Sequence, residues 1–173
     1  MSIAETVVKA LADEGLTIAC AETITGGGIT RALIEVPGSS RTLGFSAVVY
    51  SDRAKTALLG VDPETIRRFG AVSEETAREM ARGVAAAARA DLGLAVTGVA
   101  GPGGGTVEKP VGMVCIALRA EDETITRTVQ LGAPGRKEIM DRSVLAALEL
   151  TGAYLSRRKE RSGAQAEKEG GSL

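Results

Sequence analysis

Seventeen residues between two apolar runs most constrain this chain: Val96 to Gly112, reading Val-Thr-Gly-Val-Ala-Gly-Pro-Gly-Gly-Gly-Thr-Val-Glu-Lys-Pro-Val-Gly. The run Leu92–Val96 before it and the run Val111–Leu118 after it both have the apolar density of buried strands. A segment this rich in glycine and proline cannot continue either strand, so it must be a loop that lets the backbone approach a ligand or a neighbour closely. Gly98, Gly101, Gly103, Gly104 and Gly105 can turn several N–H groups toward one point, where an anion or a carbonyl oxygen is held. A plain connector is the simpler use of such a loop. Thr97, Thr106 and Lys109 argue for a ligand, because hydroxyls and an ammonium around glycines suit a phosphate or carboxylate.

The remaining chain alternates helix and strand signals. Ser2–Glu14 carries Ile3, Val7 and Leu11 at helical spacing and closes at Gly15. Leu16–Ala21 reads as a short buried strand. It is followed by Glu22-Thr23-Ile24-Thr25-Gly26-Gly27-Gly28 and a helical pattern through Ile29, Leu33 and Ile34. Strand, polar glycine turn and helix is a recurrent way to build an anion site, although Thr23 or Thr25 can equally be only an N-cap. Leu43–Ser51 is β-branched and aromatic and predicts a strand; Asp52 is placed to cap the helix after it. Asp62-Pro63 opens a short helix, Ser73 caps a long alanine-rich one to about Arg89, and Thr124–Leu131 alternates as a strand after the turn Glu121-Asp122-Glu123. A last helix spans about Arg136 to Ser156. This order predicts an α/β fold, a layered domain around a mixed β-sheet over residues 1–156, with a disordered charged tail over 157–173. Loops after the strands at Glu22, Ser51 and Gly98 are expected to converge at the strands' C-terminal ends.

Composition narrows the chemistry. The chain has 173 residues and no histidine, which removes Ser-His-Asp and Cys-His arrangements and every histidine-ligated zinc site. Acid–base work must then fall to Lys, Tyr, Asp, Glu or Cys, or to a hydroxyl activated by one of them. Tyr50 ends a strand and Lys55 sits one turn into the next helix; by position alone a core tyrosine and a snorkelling lysine would suffice. Cys20 and Cys115 lie in strand-like runs and are expected in the core. A net charge of −1 and 2% aromatic residues give no footprint for nucleic acid or a membrane surface. No apolar run reaches the length of a membrane span, and the N-terminus lacks the order of a secretory signal, so a cytoplasmic location is expected. The P-loop, the Gly-x-Gly-x-x-Gly fingerprint and the Gly-x-Ser-x-Gly elbow are all missing. Arg136 can reach an anion from the start of the last helix, but an ordinary exposed arginine accounts for it as well.

Four segments in order carry a resemblance: Ala21-Glu22-Thr23-Ile24-Thr25-Gly26-Gly27, Val49-Tyr50-Ser51-Asp52-Arg53-Ala54-Lys55, Gly70-Ala71-Val72-Ser73-Glu74, and Thr97–Thr106 with Lys109-Pro110-Val111-Gly112. Together they resemble the CinA C-terminal domain family, the nicotinamide mononucleotide deamidases, over about residues 3 to 156. The resemblance implies a three-layer αβα sandwich, a homo-oligomer, and an amidohydrolase that converts nicotinamide mononucleotide to nicotinic acid mononucleotide and ammonia without a metal or other cofactor. It also implies a nucleophile at Thr23, assisted by Tyr50 and Lys55. Substrate contacts are implied at Glu22, Thr25, Gly26, Gly27 and Ser51, and along the second loop at Thr97, Gly98, Gly101, Gly103, Gly104, Gly105, Thr106 and Lys109. Oxyanion donors can come from Thr25-Gly26-Gly27 or from Gly101–Gly105, with the phosphate taking the other loop. Two positions depart from the family pattern: Thr23 stands where serine is usual, and Asp52 where asparagine is usual. The alternative reading is therefore a nucleotide-binding protein that keeps the loops without the reaction.

Overall fold

The computed structural model describes residues 1–121 and 123–170. Five strands, β1 (Ile18–Glu22), β2 (Leu43–Val48), β3 (Leu92–Gly98), β4 (Met113–Arg119) and β5 (Thr124–Gln130), form one sheet in the order β2-β1-β3-β4-β5. β1 is parallel to β2 and to β3, while β3–β4 and β4–β5 are antiparallel, so the sheet is mixed as expected. Every residue of β1 is buried, because β1 has a strand on each side and helices on both faces.

Alternation along the strands splits the core in two. Ile18, Cys20, Leu92, Leu94 and Val96 point to a layer built from α1 (Ile3–Glu14), α2 (Gly28–Ile34) and α6 (Arg136–Gly170). Ala19, Ala21, Ala95, Cys115 and Ala117 point to the opposite layer, built from α3 (Asp52–Leu59), α4 (Pro63–Phe69) and α5 (Glu74–Ala88). Small side chains on this second face let α5 lie close on the sheet. Three layers, helix on sheet on helix, follow. Cys20 and Cys115 are both buried and unpaired by a disulfide, and burial pushes the Cys20 thiol up to about 12.

Local signals place the element ends well. Ser2 and Glu5 form a capping box at α1, Gly15 closes that helix in the left-handed region, and Ser73 caps α5 by accepting from Thr76 N at 3.1 Å. Three details differ from the sequence reading. β2 stops at Val48 rather than Ser51, with Val49 N making the last hydrogen bond to β1, to Glu22 O. Ser51, not Asp52, caps α3, its Oγ accepting from Ala54 N at 3.1 Å. The charged segment after Ser156 is not disordered over its described length: it continues α6 to Gly170, and Arg158 pairs with Glu14 at 2.7 Å. Its Arg, Lys, Glu, Gln and Ala residues have little to bury but are strong helix formers attached to a helix already nucleated. Residues 171–173 of the expected tail lie outside the described residues. Among the described residues no helix is long and apolar enough to cross a membrane.

Candidate active site

The three parallel strands end at one edge, and their register brings three loops side by side. Glu22 pairs with Val48 on one side and Val96 on the other. The pairing runs on past the strand ends, with Val49 N donating to Glu22 O at 2.8 Å and Thr23 N to Val96 O at 3.1 Å. The expected convergence of the loops after β1, β2 and β3 is therefore a property of the fold.

At this edge Thr23 and Lys55 meet on one backbone oxygen. Thr23 Oγ1 donates to the Val49 carbonyl at 3.2 Å, and Lys55 Nζ donates to the same carbonyl at 3.1 Å and to the Tyr50 carbonyl at 3.3 Å. Lys55 is only 1% exposed, on the buried stripe of α3 that it shares with Leu59. Among the described residues it has one ion-pair partner, Asp52 Oδ1, 3.9 Å away and itself well exposed. Burial lowers the pKa of the Lys55 amine, and the Asp52 charge only partly restores it. The expected exposures of the pair are inverted: the lysine is in the core and the tyrosine, 65% exposed, is outside. Lys55 touches the carbonyl of Tyr50, not its phenol.

The Tyr50 hydroxyl instead accepts from Arg136 Nη2 at 3.3 Å, while Arg136 Nη1 donates to the Gly101 carbonyl at 2.9 Å. Arg136, at the first position of α6, thus links the loop after β2 to the glycine loop. Sequence reasoning named it only as a possible anion contact. The available signal was its place directly after Gly135, where a helix start faces the ends of the strands.

The turn after β1 is occupied by the chain itself. Glu22 is fully buried, and its carboxylate accepts from Thr25 Oγ1 (2.6 Å), Gly27 N (3.0 Å), Ile29 N (3.0 Å), Thr30 N (2.8 Å) and Thr30 Oγ1 (2.6 Å). Of the residues expected to touch substrate, Glu22 holds the Thr25 hydroxyl and the Gly27 amide with its carboxylate. Gly26 N donates to Thr23 O at 3.3 Å and Gly28 N to Thr25 O at 3.0 Å. Ile24 N and Thr25 N, directly after the Thr23 hydroxyl, make no hydrogen bond among the described residues.

The other predicted positions sort by the same test. Thr97 is buried and donates to the Ala71 carbonyl at 2.9 Å, tying β3 to the Gly70–Ser73 segment. Gly98 serves packing, since a Cβ there would lie 2.9 Å from both Ile24 Cδ1 and the Met113 carbonyl. Lys109 donates its ammonium to the Phe69 carbonyl, and Thr106 closes a tight turn with it, donating to Lys109 O at 2.9 Å and accepting from Lys109 N at 3.0 Å. Ser51 is the α3 cap. Gly101 is buried with φ +70, and a Cβ would meet Val111 at 2.6 Å. Gly103, Gly104 and Gly105 are exposed, and their N–H groups make no hydrogen bond among the described residues. The geometry therefore holds two sets of spare donors: the Ile24 and Thr25 amides beside Thr23, and the amides of the glycine loop beyond Arg136.

Comparison with known proteins identifies the family and the fold. The model of the CinA C-terminal domain matches residues 1–155. A CinA-like protein of Kosmotoga olearia is 46% identical over 148 residues, covering 86% of this chain and 36% of its own length. Another CinA-like protein, from Chlorobaculum tepidum, is 50% identical over 121 residues, covering 70% of this chain and 29% of its own. The chain thus spans about a third of the length of such relatives. Among solved structures, the competence/damage inducible protein CihA from Agrobacterium tumefaciens superposes with a TM-score of 0.83 at 40% identity, covering 90% of this chain and 97% of that one. A competence or damage-inducible protein from Enterobacter asburiae gives a TM-score of 0.85 at 37% identity, covering 88% and 96%.

Proposed function

The chain belongs to the CinA C-terminal domain family, and from that premise we propose that it is an amidohydrolase acting on nicotinamide mononucleotide, with Thr23 as nucleophile and Lys55 as base. The observation that carries this reading is the shared Val49 carbonyl, which holds a hydroxyl and a buried amine of lowered pKa side by side on one acceptor. A desolvated neutral lysine is a competent base for a hydroxyl where no histidine exists.

In this reading Thr23 Oγ1 attacks the carboxamide carbon and its proton passes to Lys55 Nζ. The oxyanion forms against the Ile24 and Thr25 amides, the spare donors that follow the hydroxyl in sequence. Lys55 then returns the proton to the departing amine, the C–N bond breaks, and ammonia leaves an ester on Thr23. Water, losing a proton to Lys55, attacks that ester; the bond from the acyl carbon to Thr23 Oγ1 breaks, Lys55 returns the proton to Oγ1, and the carboxylate product leaves. The nucleotide phosphate goes to the Gly103–Gly105 amides beside Arg136, because the α2 end has no donor to spare.

Ammonia release from nicotinamide mononucleotide, compared with the riboside that lacks the phosphate, tests the reading. It predicts turnover of the mononucleotide and a much higher KM for the riboside; no ammonia from either would overturn it. One observation favours a silent nucleotide-binding protein: the Thr23 hydroxyl donates to Val49 rather than to Lys55. Mononucleotide binding without ammonia release would select that second reading.

A further inference from the structure

The Glu22 carboxylate accepts five hydrogen bonds at the site edge, yet none comes from Thr23 Oγ1 or Lys55. A fully buried carboxylate is strongly unfavourable unless its charge is met. Here no cation meets it: among the described residues Glu22 is in no ion pair, and every partner is an N–H or O–H donor. Two of those donors are hydroxyls and three are amides of the glycine turn and first turn of α2. The donor set is what a bound phosphate or carboxylate would use, and the chain fills it from within.

We propose that Glu22 is a positioning residue, an internal anion that occupies this donor set and thereby fixes the turn carrying Thr23 and the Ile24 and Thr25 amides. The proposal rests on the amidohydrolase reading for its kinetic part. The backbone of Glu22 is pinned at the same time, because its carbonyl accepts from Val49 N at 2.8 Å and the next amide, Thr23 N, donates to Val96 O at 3.1 Å. Side chain and backbone of one residue therefore join the α2 turn to both neighbouring loops, and Thr23 lies between these anchors. A second consequence is selectivity. With the Gly27, Ile29 and Thr30 amides spent on a carboxylate, the start of α2 offers the substrate phosphate no donor, which leaves the glycine loop beside Arg136 as the phosphate end. The orientation that puts the carboxamide over Thr23 follows from that exclusion.

Chemical rescue tests the proposal. Glu22→Ala removes the internal anion and leaves its donors facing a cavity of carboxylate size, so sodium formate is the probe, with sodium chloride at equal ionic strength as control. The amide resonances of Gly27, Ile29 and Thr30 in Glu22→Ala are expected to shift saturably with formate, and those of the native chain to stay still. Turnover of nicotinamide mononucleotide by Glu22→Ala is expected to fall about 100-fold in kcat, as for a displaced reacting group. KM should change little, and formate should recover a large part of the loss. Glu22→Gln matches the native residue in volume and carries the test if Glu22→Ala does not fold; it should lose kcat, keep KM, and gain nothing from formate. Native kcat in either variant, or a loss confined to KM, overturns the positioning role. Amides of Glu22→Ala that ignore formate overturn the filled anion site. If the native chain itself releases no ammonia, the proposed reaction fails, while the formate shifts still decide the site.

Discussion

Thr23 Oγ1 and Lys55 Nζ donate to the same acceptor, the Val49 carbonyl, at 3.2 and 3.1 Å. The carbonyl belongs to the first residue after β2, and it is aimed at Thr23 because Val49 N is still paired to Glu22 O across the strand ends. A backbone atom thus aligns a hydroxyl from the loop after β1 with an amine from α3. It does so in the absence of any direct bond between the two side chains.

The pH dependence of turnover should report Lys55. A base must be neutral, so kcat/KM is expected to rise with pH through the lowered Lys55 pKa and then level off. Asp52 is the one charge that holds this pKa up. Asp52→Asn should therefore move the acid limb to lower pH and raise activity on that limb; a limb that stays in place would show that another group controls it.

Stability should carry an imprint of the same residue. The folded Lys55 pKa is below its ordinary value, so between the two the unfolded chain binds a proton that the folded chain does not. Stability from this group therefore rises with pH across that window, and the penalty of a buried charge is fully present below it. Lys55→Met should abolish turnover, flatten this rise, and unfold at a temperature no lower than the native chain near neutral pH. A Tm well below native at that pH would contradict it.

Arg136 is expected to act in binding. Arg136→Ala frees both the Tyr50 hydroxyl and the Gly101 carbonyl and removes the cation beside the glycine loop. KM for the mononucleotide should rise about tenfold, roughly 1.4 kcal/mol, with a smaller change in kcat. Arg136→Lys should recover little, since an ammonium cannot span the two acceptors as a guanidinium fork does. Steady-state kinetics on both variants checks this, and a loss confined to kcat would refute it.

Much of the fold was legible because its signals are local. Ser2, Gly15 and Ser73 cap helices as their side chains and backbone freedom dictate, and the apolar runs at Ile18, Leu92 and Val114 became the buried middle of the sheet. The strand order was not legible, since periodicity says which face is buried and not which neighbour is paired. In the site, Thr23 and Lys55 were nameable as residues, but the atom that joins them was not: a carbonyl has no signature in sequence. The burial of Lys55 could have been read from Leu59 one turn later on the same stripe, whereas the long aliphatic stem of lysine usually argues for snorkelling. The internal role of Glu22 was not legible because an acid in a glycine turn looks the same whether its donors come from a ligand or from the next helix. The segment beyond Ser156 was read by what it can bury, and its helix propensity decided otherwise.

The most direct test of the central claim is ammonia release from nicotinamide mononucleotide by the native chain, Thr23→Ala and Thr23→Ser under one set of conditions. With Thr23 as nucleophile, the native chain turns over and Thr23→Ala loses roughly 10³-fold or more in kcat. Thr23→Ser should match or exceed the native rate, because it keeps the hydroxyl on Val49 and drops the methyl that restricts χ1. Turnover by Thr23→Ala at a rate near native would contradict the account.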